Sequence, residues 1–291
     1  MRRVKVVIVN YNNYQETIRY VSNLENQKGI VIDIMIVDNC SINDSYKILK
    51  EKFSSHERVS VIQSQTNGGY AKGNNIGIEK FNLKPKDLLV ISNSDLYIED
   101  SFLFKKWSDI HVHLKDVAIS SPAMYVNGKL SKYSAWKIPK IKDSLVSSLR
   151  ILEKIFGDKK RYFFPEFKTT KSVDCLPGSL FMISYETFKK VNFFDPNTFL
   201  YMEEVIISRK LKNLGYNNYL IHDLKYEHFV SKIISSEIPS KTMRKHLLNS
   251  TCYYHKKYDN ASGFVLGVMR VNYYIWIFES WLVSLFKNKL M

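Results

Sequence analysis

Residues 88–96 read LLVISNSDL. Four apolar residues, β-branched or Leu, give the pattern of a short buried strand, and it stops at a small polar cluster ending in a carboxylate, Asp95. Such a strand hands Asp95 to the carboxyl edge of a sheet, where open α/β sheets bind their ligands. An Asp beside Asn93 and Ser94 suits a hard divalent cation carrying a diphosphate, because Mg²⁺ and Mn²⁺ prefer one or two carboxylates completed by substrate oxygens. A strand followed by an Asx turn would read the same way, so the stretch has to be weighed with its surroundings.

Upstream, residues 4–9 (VKVVIV) form a strand pattern that ends at the polar turn Asn10-Tyr11-Asn12-Asn13. Ile18, Val21 and Leu24 recur at helical spacing and predict a helix closing near Gly29. Residues 31–37 make a second strand ending at Asp38-Asn39. Ser41 and Asp44 then resemble a capping box for a helix with Tyr46, Leu49 and Phe53 on one face. Residues 59–62 are a third strand, followed by a loop over residues 66–75. Strands alternating with helices imply right-handed βαβ units, hence an α/β fold with a mostly parallel central sheet flanked by helices. Each strand ends in a loop bearing Asn or Asp, so Asn10, Tyr11, Asp38, Asn39, Asn67 and Asp95 are expected around one crevice. Their amides and carboxylates can read a base and ribose while the cation neutralises a diphosphate.

The loop NGGYAKGNN (residues 67–75) has neither the GxGxxG spacing after a first strand nor a GK[ST] ending, which removes dehydrogenases and P-loop ATPases. Gly68, Gly69 and Gly73 still permit positive φ and close ligand approach, and Lys72 could meet a phosphate. A flexible turn leading into a helix is the alternative. Residues 125–172 are weakly periodic, with a helix expected over residues 143–156. Pro177-Gly178-Ser179 is a turn before a strand at residues 180–183. Val205, Ile207, Leu211 and Leu214 then predict a helix ending at Gly215. Glu203 and Glu204 open it, where the helix dipole favours negative charge, so plain capping competes with catalysis. Adjacent helix positions point about 100° apart, which serves a glycosidase's paired carboxylates poorly. One glutamate acting as a base opposite a metal-bound leaving group fits better.

The chain has 291 residues, 45% hydrophobic and 24% charged, as in an ordinary globular protein. Its formal charge of +15 implies anionic partners. The lysines are dispersed and no nucleic-acid motif occurs, so sugar nucleotides or an anionic membrane fit better than nucleic acid. Cys40, Cys175 and Cys252 are odd in number and far apart, which suits a reducing cytosol and neither a disulfide framework nor a zinc site. The first apolar run is too short for a signal peptide. Residues 263–286 are strongly apolar and aromatic, yet Arg270 and Glu279 interrupt them and lysines bound them. That composition suits a helix lying in a membrane interface, against the alternatives of a core cover or a homodimer contact.

Taken together, the segments VVIVNYNN, MIVDNCSIND, TNGGYAKGNNIGI, VISNSDL, LPGSLFMIS, FLYMEEVIISRKLKNLGY and YEHFVS resemble, in order, the inverting family-2 glycosyltransferases of the GT-A fold. Within them the chain is similar to the rhamnosyltransferase-like branch of cell-surface polysaccharide synthesis. The resemblance implies a GT-A domain over residues 1–230, its nucleotide half at 1–100 and its acceptor half at 101–230, with a C-terminal helical region at 231–291. It implies Asn10, Tyr11, Asp38 and Asn39 around base and ribose, and Asn67, Gly69 and Asn74 shaping the nucleotide pocket. The DxD metal motif of the family is often written NxD. Asn93-Ser94-Asp95 matches that form, with Asp95 meeting Mg²⁺ or Mn²⁺. Gly178 and Ser179 match the turn bordering the acceptor, and His228 has the family's position near diphosphate and acceptor. The acidic pair that carries the base is Glu203-Glu204, with Glu204 at the base position. Ile206 and Lys210 depart from the family's usual Asp and Arg.

What the resemblance implies is transfer of a hexosyl or deoxyhexosyl unit, with inversion, from a nucleotide-diphosphate sugar to a lipid-linked glycan, at the inner face of the plasma membrane. dTDP-rhamnose is the first donor expected, then UDP-hexoses and UDP-galactofuranose. A sugar-nucleotide nucleotidyltransferase would need a glycine- and basic-rich N-terminal loop, which VNYNNYQET does not supply. A non-catalytic nucleotide- or glycan-binding scaffold is the alternative of another class.

Overall fold

The computed structural model describes residues 2–147, 169–229 and 240–288. Among them one sheet gathers β1 (Arg3–Asn10), β2 (Val31–Asp38), β3 (Val59–Gln63), β4 (Leu88–Ser92), β5 (Leu96–Tyr97), β6 (Val117–Val126), β7 (Lys129–Leu130), β8 (Lys171–Val173), β9 (Leu180–Ser184) and β10 (Asn217–His228). The order is β3-β2-β1-β4-β9-β6-β10-β5, with β7 on β6 and β8 on β10. The first four strands are parallel, as βαβ winding requires. Beyond β4 the sheet is mixed, because β9 runs antiparallel to both its neighbours.

The apolar runs alternate across this sheet. Leu88 and Val90 of β4 join Val6 and Ile8 of β1 on one face, while Leu89 and Ile91 join Val7 on the other. Both faces are covered, which is why these strands read as continuous apolar runs rather than as alternating ones. Tyr20 of α1 (Tyr14–Glu25), Leu49 of α2 (Ser45–Lys52) and Trp107 of α4 (Leu103–His111) cover the first face. Ala71 of α3 (Gly69–Lys80), Phe188 of α6 (Tyr185–Lys190) and Ile207 of α7 (Glu203–Asn213) cover the second. At about 1.5–3 kcal/mol per buried Leu or Ile, this centre is the rigid frame from which the loops hang.

Several local expectations change. The glycine-rich stretch is mostly helix, since α3 begins at Gly69. Gly77 faces β1, where a Cβ would lie 2.5 Å from Val7 Cγ1, so this glycine lets helix and sheet approach closely. Asp44 makes no side-chain cap to α2, and Ser41 hydrogen-bonds Asp38 instead. Leu214, expected on the apolar face of its helix, is exposed, while Gly215 does end that helix at φ +83°. Of the helix expected at residues 143–156, α5 (Ile141–Ser147) is seen and the rest lies outside the described residues. The C-terminal helices α8 (Ser240–Tyr258) and α9 (Gly263–Asn288) pack on each other, and α9 also contacts α5. Among the described residues no helix is long and apolar enough to cross a membrane.

Candidate active site

The loops after β1, β2 and β3 meet in a polar network. Asp38, fully buried, accepts from Asn10 Nδ2 (2.8 Å), Ser41 N (3.0 Å), Ser41 Oγ (2.6 Å) and Gln63 Nε2 (3.3 Å). Asn10 Oδ1 in turn accepts from Thr17 Oγ1 at 2.8 Å. Asn39 donates to Asn67 Oδ1 (2.9 Å) and Gly69 O (3.2 Å) and accepts from Ser64 Oγ (3.1 Å). Asn67 Oδ1 also takes the Gly69 N–H. Asn10 and Asp38 are thus bonded to each other, the Asn39 N–H donates to Asn10 O, and all three are buried, while neighbouring Tyr11 is 38% exposed. Positive φ at Asn12 and Cys40 marks sharp turns just beyond β1 and β2, at the same edge. Lys72 is exposed on α3 and Asn74 is buried on it, donating to Tyr70 O, with its Oδ1 without a partner among the described residues.

A second group surrounds a cavity of about 660 Å³. Asn93, Gly178, Ser179, Glu203, Glu204 and His228 all line it, although 135 residues separate the first from the last. Antiparallel pairing of His228 with Leu96 brings the end of β10 to the residue after Asp95. His228 Nε2 then lies 3.2 Å from Asp95 Oδ1, and Phe229 N donates to Asp95 O. An irregularity in β10 sets this up, for Ile221 pairs with Pro122 but Lys225 with Ala123. On the same face of β10, two residues before His228, buried Tyr226 meets Ser179 Oγ at 2.7 Å. Ser94 is half-buried between Asn93 and Asp95.

The glutamates sit on a strained turn. Tyr201 and Met202 both adopt φ +72°, rare for residues with side chains, immediately before α7. Glu203 is 3% exposed and its Oε1 has no partner among the described residues. Burial, then the charge of Glu204, push the Glu203 carboxyl up to about 8 from its ordinary 4.5, against hydrogen bonds from its own backbone N–H and from Thr198. Burial raises Glu204 as well, opposed by its backbone N–H. The Tyr70 hydroxyl, pushed up by burial and then by the charges of Glu204 and Glu203, donates to Gly178 O at 2.5 Å.

The strap leading to that turn is fastened on two sides. The Tyr70 N–H donates to Phe199 O, and the Asn75 amide both donates to and accepts from the backbone of Phe194. A Cβ on Gly69, itself at φ +82°, would lie 2.0 Å from Phe199 O. From the other side Lys257, Tyr253 and Tyr258 of α8 bind Asp195 Oδ2 at 2.8, 2.8 and 2.6 Å. Burial raises the Asp195 carboxyl, but these bonds and one from Asn197 pull it well below the usual carboxylate range. The far cavity wall is apolar and aromatic, with Trp136, Leu247, Leu248, Met269 and Tyr273, and Arg244 is at the wall with its guanidinium over Trp276.

Residues 5–191 match the family described as glycosyl transferase family 2. The chain belongs to that family. Among its relatives, this family-2 chain is 26% identical over 204 residues to the low-salt glycan biosynthesis hexosyltransferase Agl10 of Haloferax volcanii, which covers 69% of this chain and 59% of Agl10. It is 24% identical over 200 residues to the rhamnosyltransferase WbbL of Escherichia coli K12, covering 65% of this chain and 71% of WbbL. The match thus spans well under two thirds of Agl10. Its fold is GT-A-like. It superposes on mannosyltransferase PcManGT of Pyrobaculum calidifontis, solved with GDP-Man and Mn²⁺, with a TM-score of 0.58 at 13% identity over 94% of this chain and 74% of that one. Against S. aureus TarS in complex with UDP-GlcNAc the TM-score is 0.54 at 16% identity, over 92% of this chain and 70% of that one.

Nothing local in the sequence singles out Ser41, Ser64, Thr17 and Gln63 of the network after β1, β2 and β3 as site residues, nor Tyr70 at the cavity. Tyr226 had a signal, its two-residue offset from His228 on one strand. Tyr70 had none, because its partner Gly178 is remote in sequence.

Proposed function

We propose that this family-2 glycosyltransferase moves a hexosyl or deoxyhexosyl unit from a nucleotide-diphosphate sugar to a hydroxyl of a lipid-linked glycan, with inversion. The observation that carries the reading is a single cavity shared by Glu203, Glu204 and His228, the last in contact with Asp95. Glu204 takes the acceptor proton as that oxygen attacks the anomeric carbon and the diphosphate leaves. Glu203, its carboxyl raised by burial and by the charge of Glu204 and its Oε1 without a partner among the described residues, positions the acceptor beside it. Asn10, Tyr11, Asp38, Asn39, Asn67, Gly69 and Asn74 form the base and ribose side, and Lys72 faces the phosphates. Gly178 and Ser179 border the acceptor.

Among the described residues no three His, Cys, Asp or Glu side chains cluster as a closed metal site. Asp95 with His228, and Asn93 nearby, suit instead an open site for Mg²⁺ or Mn²⁺ in which the diphosphate completes the shell. When bound, such an ion offsets the charge of the leaving diphosphate. A rhamnosyl donor is supported by the likeness to WbbL, and hexosyl donors by Agl10. Three scattered free thiols support residence in a reducing cytosol.

The test is a thermal-shift screen of nucleotide sugars with Mn²⁺, followed by donor hydrolysis without acceptor. A stabilising donor that is slowly hydrolysed supports the reading, and binding without hydrolysis or transfer leaves the scaffold alternative. In the Asp95→Ala protein the response to Mn²⁺ should vanish; an unchanged response would remove Asp95 from the metal site.

A further inference from the structure

Helix α9 has two unlike faces. Leu266, Met269 and Asn272 are buried against the body of the protein. Phe264, Val271, Tyr274 and Ile275 are 82%, 57%, 68% and 41% exposed. At about 100° per residue these four fall within one arc of about 100°. Gly267 lies in the same arc, with open space where a Cβ would be. So much exposed aromatic and aliphatic surface on one helix is unusual for a side facing only water.

We infer that this face of α9 docks on the headgroup layer of an anionic lipid bilayer. Charge selects that occupant. Between residues 240 and 288 there are seven Lys and Arg against two acidic residues, and the chain as a whole carries +15. Arg270 is exposed at the edge of the arc. A second copy seated on the same stripe would bring two such cationic bodies together, whereas anionic headgroups attract the flanks while the apolar arc enters the acyl boundary. Aromatic residues with basic neighbours are the composition of an in-plane interfacial helix. Crossing the bilayer is a different matter, as no described helix is long and apolar enough.

The inference deepens the acceptor reading by naming the surface from which a lipid-linked glycan is presented. Met269 and Tyr273, on the far side of the same helix, line the cavity that holds Glu203 and Glu204. Docking α9 therefore holds the cavity one helix thickness, about 10 Å, from the headgroup layer.

The experiment is co-sedimentation of the full chain with vesicles of phosphatidylcholine and phosphatidylglycerol in equal parts, and with pure phosphatidylcholine. It involves no turnover, so it is independent of the donor, base and metal assignments. The chain should sediment with the anionic vesicles and far less with the neutral ones. Phe264→Asp with Tyr274→Asp should lower the partition coefficient by roughly tenfold or more, with an unchanged melting temperature because both positions are exposed. Equal partition of wild type and variant would overturn the proposal, as would absence of binding to either vesicle. A dimer in sedimentation velocity that the same substitutions dissociate, without vesicle binding, would assign the face to a second copy instead.

Discussion

The edge formed by the loops after β1, β2 and β3 and the turn before α7 treat buried polar groups in opposite ways. At the first, Asp38 is enclosed yet has four hydrogen bonds, and Asn10 and Asn39 are likewise engaged. At the second, Glu203 is enclosed with an orphaned oxygen, beside another carboxyl and on two left-handed residues. A saturated network is rigid before any ligand arrives. An unsatisfied buried carboxyl costs stability and persists only where surrounding structure imposes it. The contrast marks the edge after β1, β2 and β3 as preformed and the turn before α7 as strained and unsatisfied, which is what the proposed division into donor and base sides needs.

The largest effect should come from the unsatisfied side. Glu204→Gln should lower kcat by about 10²–10⁴-fold while donor affinity, read by calorimetry, stays near wild type. Full turnover in that variant would move the base to Glu203 and blunt the contrast. Gly69→Ala strikes the joint between the two regions, since its Cβ would lie 2.0 Å from Phe199 O. A loss of about 2–4 kcal/mol in urea unfolding is expected. Turnover should fall further than stability alone explains, because the strap carries the glutamates. An alanine variant with wild-type stability would show that the two regions are not fastened there.

Titration sharpens the comparison next. The Glu203 carboxyl stands at about 8 when folded against an ordinary 4.5, so the folded state holds the proton more tightly. The native protein then binds more protons than the unfolded chain between about 4.5 and about 8, and stability falls as pH rises through that window. Glu203→Gln should flatten the fall and raise the melting temperature at pH 7.5; an unaltered slope between pH 5 and pH 8 would assign it to other groups. On the saturated side, Ser41→Ala removes the hydroxyl bond to Asp38, one of its four, while the backbone N–H bond stays, and should cost about 1–2 kcal/mol, with weaker donor binding. The smallest effect belongs to exposed Lys72. Lys72→Ala should leave the melting temperature unchanged and raise the donor KM only about two- to tenfold, as for a solvated phosphate contact. A null result on KM would remove it from the phosphates.

The first half of the sheet was legible because its signals are local. Apolar runs of strand length, each ending in Asn or Asp, predict parallel strands whose polar loops share an edge, and β1 to β4 obey that. The glycine-rich stretch misled for an equally local reason. Glycines at 68, 69 and 73 read as loop, yet α3 begins at Gly69, and within it Gly73 and, past the expected loop, Gly77 allow close packing on β1, a need visible only once helix and strand are side by side. Ser41 likewise reads as a cap until Asp38 is seen beside it.

By itself the sequence determined the α/β winding, the convergence of Asn10, Asp38, Asn39 and Asn67, and the acidic pair at the start of a helix, since periodicity and strand-end chemistry are properties of neighbours along the chain. Only the tertiary structure decided that β9 enters antiparallel, that β10 returns His228 to Asp95, and that α8 and α9 wall the cavity of Glu203 and Glu204. These depend on contacts between residues from some sixty to more than a hundred positions apart, and long-range pairing is chosen by the packing of the whole core rather than by any short stretch.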